Sequence, residues 1–111
     1  MIQLSASSEI VVAISPQDFR KGIDGFVSVC HHEFNHNPKT GTIFVFINRS
    51  KTMIRLLSYE NKGYWLMTKR LSKGKFQTWP KNEQSMTAMQ AWQLRELLCS
   101  YSVKNKVKKL K

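Results

Sequence analysis

The sequence is poor in cysteine, in acidic residues and in long apolar runs. Its two cysteines, Cys30 and Cys99, allow at most one disulfide and belong to no CxxC pair, so we expect two free, buried thiols. The longest apolar runs, at residues 10–14 and 43–47, hold five residues each, far fewer than the roughly 20 that a membrane-spanning helix needs. The start of the chain lacks a basic stretch followed by an apolar one, so we expect no secretory signal, no membrane partner and a cytoplasmic protein.

The shortage of acid leaves the chain strongly basic. It holds 18 lysines and arginines against 7 aspartates and glutamates, which gives a formal net charge of +11. Residues 1–48 hold three basic and four acidic side chains, whereas residues 49–111 hold fifteen and three. Positive charges in this number repel one another and favour a polyanionic partner. A membrane surface is the weaker alternative, because no strongly amphipathic basic helix is evident.

The length and composition favour one folded unit. A chain of 111 residues with 41% hydrophobic content fits one domain with a modest core. We place that domain at residues 1–102. Residues 103–111 carry five lysines and no acid, so we expect them to form a mobile tail.

Local signals predict a strand and then a helix in the first third of the chain. The β-branched run at residues 9–14 favours a short buried strand. Ser15, Pro16 and Asp18 have the form of a helix start, with Ser15 as N-cap and Asp18 accepting a backbone N–H. Apolar residues continue at spacings of three and four, and Asp24 is placed to cap a second piece. We expect a helix from about residue 24 to 36.

The second half of the chain has the pattern of a meander followed by a helix. From residue 42 the apolar period is two, which predicts strands at residues 42–48, 53–59, 64–71 and 75–79. Gly63 and Gly74 suit hairpin turns that need a positive φ. Residues 87–90 have the form of a second capping box, which predicts a helix from about residue 88 to 101. The predicted fold class is α+β: a single domain with a mostly antiparallel β-meander, a helix before it and a closing C-terminal helix.

No set of residues in the sequence supports catalysis or a metal site. His32 and His36 share a helix face, but no second pair of ligands is evident. Asp18 and Asp24 are placed to cap helices, whereas a two-metal nuclease needs several carboxylates. The serines and Cys99 lack a nearby histidine, and no phosphate-binding glycine loop occurs. We therefore predict a binding module that is not an enzyme and has no catalytic residue, no metal and no cofactor.

Basic and aromatic residues are interleaved along the predicted strands. Lysine and arginine neutralise phosphates whatever the base sequence, and exposed aromatic rings stack on unpaired bases. The basic members are Arg49, Lys51, Arg55, Lys69, Arg70, Lys73 and Lys75. Among the aromatic residues we expect Phe44, Phe46, Trp65 and Phe76 in the core, and we keep Trp79 as a candidate for stacking or wedging.

Three stretches of the sequence resemble one family of mobile-element proteins. The first is D-F-R-K-G-I-D-G-F at residues 18–26, and the second contains F-V-F-I-N-R at residues 44–49. The third ends in K-R-L-S-K-G-K-F-Q-T-W-P at residues 69–80. Their order and spacing are similar to those of the TnpB accessory proteins of the insertion-sequence family sixty-six, which are unrelated to the RNA-guided nuclease of the same name.

The resemblance implies a protein that is encoded beside a separate transposase and is needed for efficient transposition. Our leading interpretation is a non-enzymatic DNA-binding protein that helps the transposase assemble on the element ends. Arg20 and Lys21 of the first stretch then join the seven basic strand residues and Trp79 as the expected DNA-binding set. The expected partners are DNA and the transposase of the same element.

The alternative is a protein adaptor that docks the transposase and has only weak, non-specific affinity for nucleic acid. Asp18 and Asp24 lie beside Arg20 and Lys21 in the sequence, and a mixed-charge patch suits a protein interface better than DNA. Asp18 and Asp24 are therefore the expected protein-interface residues. The DNA sequence, the strand preference and the oligomeric state stay open at this stage.

Overall fold

A computed structural model describes residues 8–102 of the chain. These residues form seven strands, two α-helices and a short 3-10 turn at Pro38–Thr40. The strands are β1 (Ile10–Ala13), β2 (Ile43–Ile47), β3 (Met53–Glu60), β4 (Gly63–Arg70), β5 (Lys75–Phe76), β6 (Met86–Met89) and β7 (Tyr101–Ser102), and the helices are α1 (Ile23–His32) and α2 (Ala91–Cys99). The expected lysine-rich tail, 103–111, lies outside the described residues.

Five of the strands form one sheet in the order β4-β3-β2-β1-β6. β1 and β2 are parallel, with Val12 opposite Val45, because α1 returns the chain to the same end of the sheet. The other three pairings in this sheet are antiparallel. The α+β class and the mostly antiparallel sheet are therefore confirmed.

The two helices cover opposite faces of the sheet. Phe26 of α1 belongs to one core together with Phe44, and Leu94 of α2 belongs to a second core together with Ile54. The residues of β2 alternate between these two cores, so the whole strand is buried and has a continuous apolar sequence. Charged residues are consequently left mainly to the strand ends, the edge strand and the loops.

The expected helix start at Ser15 is wrong, although β1 confirms the strand before it. α1 begins at Ile23, with Gly22 as its N-cap, and the residues between β1 and α1 form a loop. The backbone N–H of Gln17 donates to the carbonyl of Ile47 at 2.9 Å, which continues the parallel pairing with β2 beyond the end of β1. This tertiary hydrogen bond keeps the segment extended where the local sequence favours a helix.

The expected capping roles of Asp18 and Asp24 are also wrong. The Asp18 carboxylate accepts the backbone N–H of Arg20, which belongs to the loop and not to the first turn of α1. Asp24 lies inside the first turn of α1, one residue past its start. The helix ends at His32, before the expected residue 36, because Asn35 takes a left-handed φ of 53° that stops the helical backbone.

The expected capping box at residues 87–90 is wrong as well. Residues 86–89 are strand β6, which pairs antiparallel with β1, and α2 begins only at Ala91. The backbone N–H of Gln90 donates to Oε1 of Gln93 at 2.8 Å at the true helix start. Thr87 has a side chain suited to an N-cap, but its segment pairs with β1. This pairing satisfies the backbone hydrogen-bonding groups and outweighs the local preference for a helix cap.

The β3–β4 hairpin is confirmed, but its turn uses other residues than expected. Asn61 and Lys62 have φ values of 50° and 65°, whereas Gly63 is already in β4. Two successive left-handed residues give the turn whose twist matches that of the strands. Gly74 has the expected positive φ, at 79°.

The expected fourth strand of the meander leaves the sheet. β5 holds only Lys75 and Phe76 and pairs with β7 in a separate two-stranded ribbon. The backbone of β5 is also hydrogen-bonded to the β2–β3 turn, since the N–H of Phe76 donates to the carbonyl of Lys51 at 2.8 Å. Phe76 is thereby drawn into the core on the α2 side.

Three of the four aromatic residues expected in the core are buried, namely Phe44, Phe46 and Phe76. The fourth expectation is wrong, because Trp65 is 43% exposed. Trp65 lies on β4, the edge strand, which has a neighbouring strand on one side only. A ring on this strand is therefore covered less than a ring on β2.

Candidate nucleic-acid interface

The basic residues expected to bind DNA gather at one end of the sheet. The pairing registers place the C-terminal ends of β1, β2 and β4 beside the N-terminal ends of β3 and β6. The nine basic residues at these strand ends and in the adjoining loops are Arg20, Lys21, Arg49, Lys51, Arg55, Lys69, Arg70, Lys73 and Lys75. We call this part of the molecule the basic end.

Backbone hydrogen bonds hold three segments of the basic end side by side. The loop before α1 joins the end of β2 through the N–H of Gln17, which donates to the Ile47 carbonyl at 2.9 Å. The β2–β3 turn joins the segment after β4 through the N–H of Phe76, which donates to the Lys51 carbonyl at 2.8 Å. Residues far apart in the sequence therefore form one continuous surface.

Asn48 shapes the β2–β3 turn. Its Oδ1 accepts the backbone N–H groups of Thr52 and Met53, both at 3.0 Å. Lys51 takes a left-handed φ of 62° within this turn. Arg49 and Lys51 are exposed, and neither forms a salt bridge with another described residue. The turn therefore presents two unpaired cations on a fixed backbone.

Asp18 and Arg20 form a bidentate pair on the loop before α1. Nη2 of Arg20 donates to Oδ2 of Asp18 at 2.7 Å, and Nε donates to both carboxylate oxygens at 3.1 Å. The side-chain and backbone hydrogen bonds from Arg20 hold the pKa of the Asp18 carboxyl well below its usual range. The Arg20 side chain is 90% exposed, so the pair fixes its direction without burying it.

Arg55 lies in the basic end, but its guanidinium faces inward. Nη1 donates to the carbonyl of Phe19 at 2.8 Å, and Nε donates to Oγ1 of Thr68 at 2.8 Å. The guanidinium also lies 4.8 Å from the centre of the Phe19 ring and 5.7 Å from that of Phe26. Most of its hydrogen-bonding capacity is therefore used within the protein.

Three further residues of the expected DNA-binding set also make internal contacts. Nζ of Lys69 donates to the carbonyl of Leu98 near the end of α2 at 2.8 Å. Nζ of Lys21 donates to Oε1 of Gln17 at 3.2 Å. The indole N–H of Trp79 donates to the carbonyl of Ala13 at 3.0 Å, and its ring packs against the core on the α2 side. The basic end thus contains side chains that form hydrogen bonds within the protein and others that do not.

Arg70, Lys73 and Lys75 are exposed free members. None of them forms a salt bridge within residues 8–102. The sequence prediction missed Lys81, which is exposed and lies in the loop that returns to β6. That loop is fixed at the same end, because the N–H of Ile14 donates to the Ser85 carbonyl at 2.9 Å. The sequence gives one indication of Lys81, which is that it directly follows the W-P pair at the end of the third stretch.

The two expected protein-interface residues, Asp18 and Asp24, differ in their contacts. Asp18 is paired with Arg20, as described above. Asp24 is exposed on the first turn of α1, and it forms no salt bridge with Arg20 or Lys21. The negative charge of Asp18 is therefore largely balanced in place.

The cysteines are both free, as expected, but only Cys30 is buried, whereas Cys99 is exposed. Burial raises the pKa of the Cys30 thiol to about 12, which keeps it protonated. In the part of the chain that the structure describes, no group of three or more histidine, cysteine or acidic side chains is arranged to hold a metal ion. Neither described helix has the length and hydropathy of a transmembrane segment.

The fold and the charge define a class: a small basic α+β protein with cationic loops gathered at one end of a five-stranded sheet. Comparison with known families identifies the particular group. The chain belongs to the IS66 Orf2-like proteins, whose family profile matches residues 8–108. This is the family that the three sequence stretches resemble.

Two relatives come from Sinorhizobium fredii (strain NBRC 101917 / NGR234). The uncharacterized protein y4jC is 37% identical over 76 residues, which cover 68% of this chain and 65% of that protein, just under two thirds of its length. The uncharacterized protein y4hO is 30% identical over 98 residues, which cover 88% of this chain and 84% of that protein. No solved structure matches the chain.

Proposed function

We propose that the protein is a non-enzymatic accessory factor of transposition that binds the DNA backbone through the basic end and assists a separate transposase at the element ends. One observation supports this most: exposed cations from several loops lie together on a fixed backbone. Membership in the IS66 Orf2-like family supports the process, and it implies association with the transposase of the element. A bacterial protein with these partners acts in the cytoplasm.

Five members of the basic end are suited to phosphate contacts. Arg49, Lys51, Arg70, Lys73 and Lys75 are exposed and form no salt bridge with another described residue. Such cations bind phosphate without breaking an internal contact. Arg20 joins them, because its guanidinium is exposed and Asp18 fixes its direction. We assign Arg55, Lys21, Lys69 and Trp79 mainly to the internal contacts that hold this surface together.

The last described residue before the lysine-rich C-terminal segment lies at the basic end. Ser102, the last described residue, pairs with Lys75 in the β5–β7 ribbon. Residues 103–111 follow Ser102 in the sequence and hold five lysines. Lysines without fixed base contacts add affinity but no sequence preference. We assign them a role in non-specific DNA binding.

The second candidate function is that of an adaptor that docks the transposase. A surface groove beside α2 favours it, with a volume of about 640 Å³ and a lining that includes Trp79, Met89 and Trp92. Trp92 is 57% exposed, which is unusual for a large apolar side chain. The groove lies on the α2 side, and its lining includes none of the nine cations of the basic end.

The test compares two double variants that remove equal charge. Arg49→Gln with Lys51→Asn removes two positive charges from the basic end, and Lys62→Asn with Arg95→Gln removes two from other exposed sites. Lys51 and Lys62 are matched, since both lie in tight turns with φ values of 62° and 65°, and asparagine tolerates this backbone. Binding to duplex DNA with the element's terminal sequence is followed by fluorescence anisotropy at several salt concentrations, and circular dichroism verifies folding.

We expect the basic-end variant to bind at least about tenfold more weakly and its slope of log affinity against log salt to be shallower by about 2, because two phosphate contacts are lost. The matched control should lie close to the wild type. Equal losses in both variants would show that binding depends on charge alone and not on the basic end. Unchanged binding in both, with transposase capture lost on Trp92→Ala, would make the adaptor the correct function.

A further inference from the structure

Arg55 is the residue of the basic end with the most internal contacts. Its side chain is half-buried, and it comes from β3, more than thirty residues from the loop it contacts. Nη1 donates to the Phe19 carbonyl at 2.8 Å and lies 3.4 Å from the Lys21 carbonyl. These two carbonyls flank Arg20 in the sequence. Arg55 therefore binds the backbone on both sides of the residue that carries the exposed guanidinium.

Aromatic rings and a hydroxyl fix the guanidinium of Arg55. It lies 4.8 Å from the Phe19 ring centre and 5.7 Å from the Phe26 ring centre, and these rings meet edge to face at 5.5 Å. Nε donates to Oγ1 of Thr68 on the edge strand at 2.8 Å. A planar group with several donors satisfies all these contacts at once, whereas a lysine ammonium cannot.

The two ends of the same loop are held by other means. Gln17 is hydrogen-bonded to the end of β2, as described above. At the other end Gly25 packs closely against Lys21, and a Cβ added at Gly25 would lie 2.5 Å from the Cβ of Lys21. Arg55 supplies the contact between these two points. The D-F-R-K-G-I-D-G-F stretch is thus a segment fastened at three places.

We propose that Arg55 is a positioning residue that holds the Phe19–Lys21 backbone so that the Asp18–Arg20 pair presents the Arg20 guanidinium to a DNA phosphate beside Arg49. Arg55 acts through Arg20 and makes no phosphate contact of its own. Arg20 and Arg49 line the same surface pocket, together with Asp18 and Asn48, which places the two arginines on one patch. This inference rests on the proposed function, because it names how one part of the same DNA-binding surface is held.

The test is a double-mutant cycle on DNA affinity. Arg55→Lys keeps the charge, Arg55→Gln removes it, and each is made in the wild type and in an Arg20→Gln background. If Arg55 positions Arg20, both changes should weaken binding by about fivefold, and each should cost less than about twofold once Arg20 is gone. If Arg55 contacts phosphate directly, Arg55→Lys should cost little, and the loss on Arg55→Gln should persist in the Arg20→Gln background. That second pattern overturns the proposal.

A further variant covers the case in which Arg55 substitutions unfold the chain. Thr68→Val removes only the acceptor of Nε on an exposed edge strand, and it should weaken DNA binding in the same direction by about twofold. Unchanged binding in a folded Thr68→Val protein counts against the proposal. Lys62→Asn serves as the neutral control.

A readout without DNA separates this inference from the proposed function. The Nε–H of Arg20, held by Asp18, should give a distinct and slowly exchanging NMR signal that Arg55→Lys or Thr68→Val weakens. If the wild type binds no DNA, the proposed function fails, and this signal alone decides whether Arg55 positions Arg20. An Arg20 signal that is unaffected by these substitutions overturns the positioning role, whatever the DNA result.

Discussion

The two ends of the sheet are built from the same kinds of turn and loop but carry different side chains. Each has a tight turn with an exposed left-handed lysine, Lys51 at the basic end and Lys62 at the opposite end. At the opposite end Nζ of Lys39 lies 5.6 Å from the ring centre of Tyr59, whose own ring lies 4.8 Å from that of Tyr64. Aromatic rings and neutral hydrogen-bonding groups line this end, and its cations among the described residues are Lys39 and Lys62.

The opposite end shows that this fold does not need a cluster of cations at its strand ends. At this end, neutral and acidic groups join the starts of β1 and β2. Oγ1 of Thr42, just before β2, donates to Oε1 of Glu9, just before β1, at 2.8 Å. The charge at the basic end is therefore an addition to the fold and costs repulsion among its members. A bound polyanion removes that repulsion, which is the physical reason to assign DNA to this end.

Charge reversal gives the largest expected contrast between the two ends. Arg49→Glu with Lys73→Glu should weaken DNA binding by about a hundredfold or more at low salt, because two attractions become repulsions. Lys39→Glu with Arg95→Glu changes the net charge equally and should cost less than about fivefold. Electrophoretic mobility shifts of both proteins measure the contrast. Equal losses would remove the distinction between the ends.

Removal of residues 103–111 should have the next largest effect. The truncated chain loses five lysines, so its non-specific affinity should fall by about tenfold. The ratio of affinities for element ends and for unrelated duplex should stay unchanged, because lysines without fixed geometry read no sequence. Competition titrations determine the ratio. A lost preference would mean that the segment itself recognises the element ends.

Neighbouring residues on β4 offer a finer comparison within the basic end. Lys69→Gln removes the hydrogen bond to the Leu98 carbonyl and should lower the free energy of unfolding by about 0.5–1 kcal/mol, because a cation near a helix C-terminus is stabilising. Arg70→Gln should leave stability unchanged but make the salt slope shallower by about 1. Chemical denaturation and anisotropy titrations distinguish the two roles. The assignment is wrong if the two variants exchange these effects.

The smallest expected effect concerns the protonation of Asp18. Its pKa lies well below the ordinary value of 3.8, because the hydrogen bonds from Arg20 stabilise the carboxylate. A lowered folded-state pKa means that the pair stabilises the fold at and above the ordinary pKa and loses this contribution as the pH falls through the lowered value. An NMR titration of the carboxyl carbon should show this low midpoint, and Arg20→Gln should raise it. An unchanged midpoint in that variant would show that another group causes the shift.

Four of the five strands of the central sheet were predicted from local signals, whereas β6 was not. β2 is a run of five apolar residues, and β3 alternates between two buried faces, so their periods alone identify them. The two predicted capping boxes are wrong for the same physical reason. Ser15 and Thr87 have side chains of cap type, but both segments form backbone hydrogen bonds to β1 or β2. These pairings join residues distant in the sequence, which a local pattern does not report.

The candidate site was predictable as a set of residues but not as a set of roles. Composition alone places most cations in the second half of the chain. It does not show that Arg55 and Lys69 bind carbonyls, while Arg49 and Arg70 stay free. That difference depends on which backbone oxygens approach each side chain after folding. Lys81 was missed because its loop reaches the basic end only through β6.

The central claim is that DNA covers one end of the sheet and leaves the other exposed. Lysine acetylation of the full-length protein, with and without element-end DNA and read by mass spectrometry, tests it without any substitution. We expect DNA to protect Lys51, Lys73 and Lys75 and to leave Lys39 and Lys62 as reactive as in the free protein. Protection of Lys39 and Lys62 with Lys51, Lys73 and Lys75 still reactive would contradict the account.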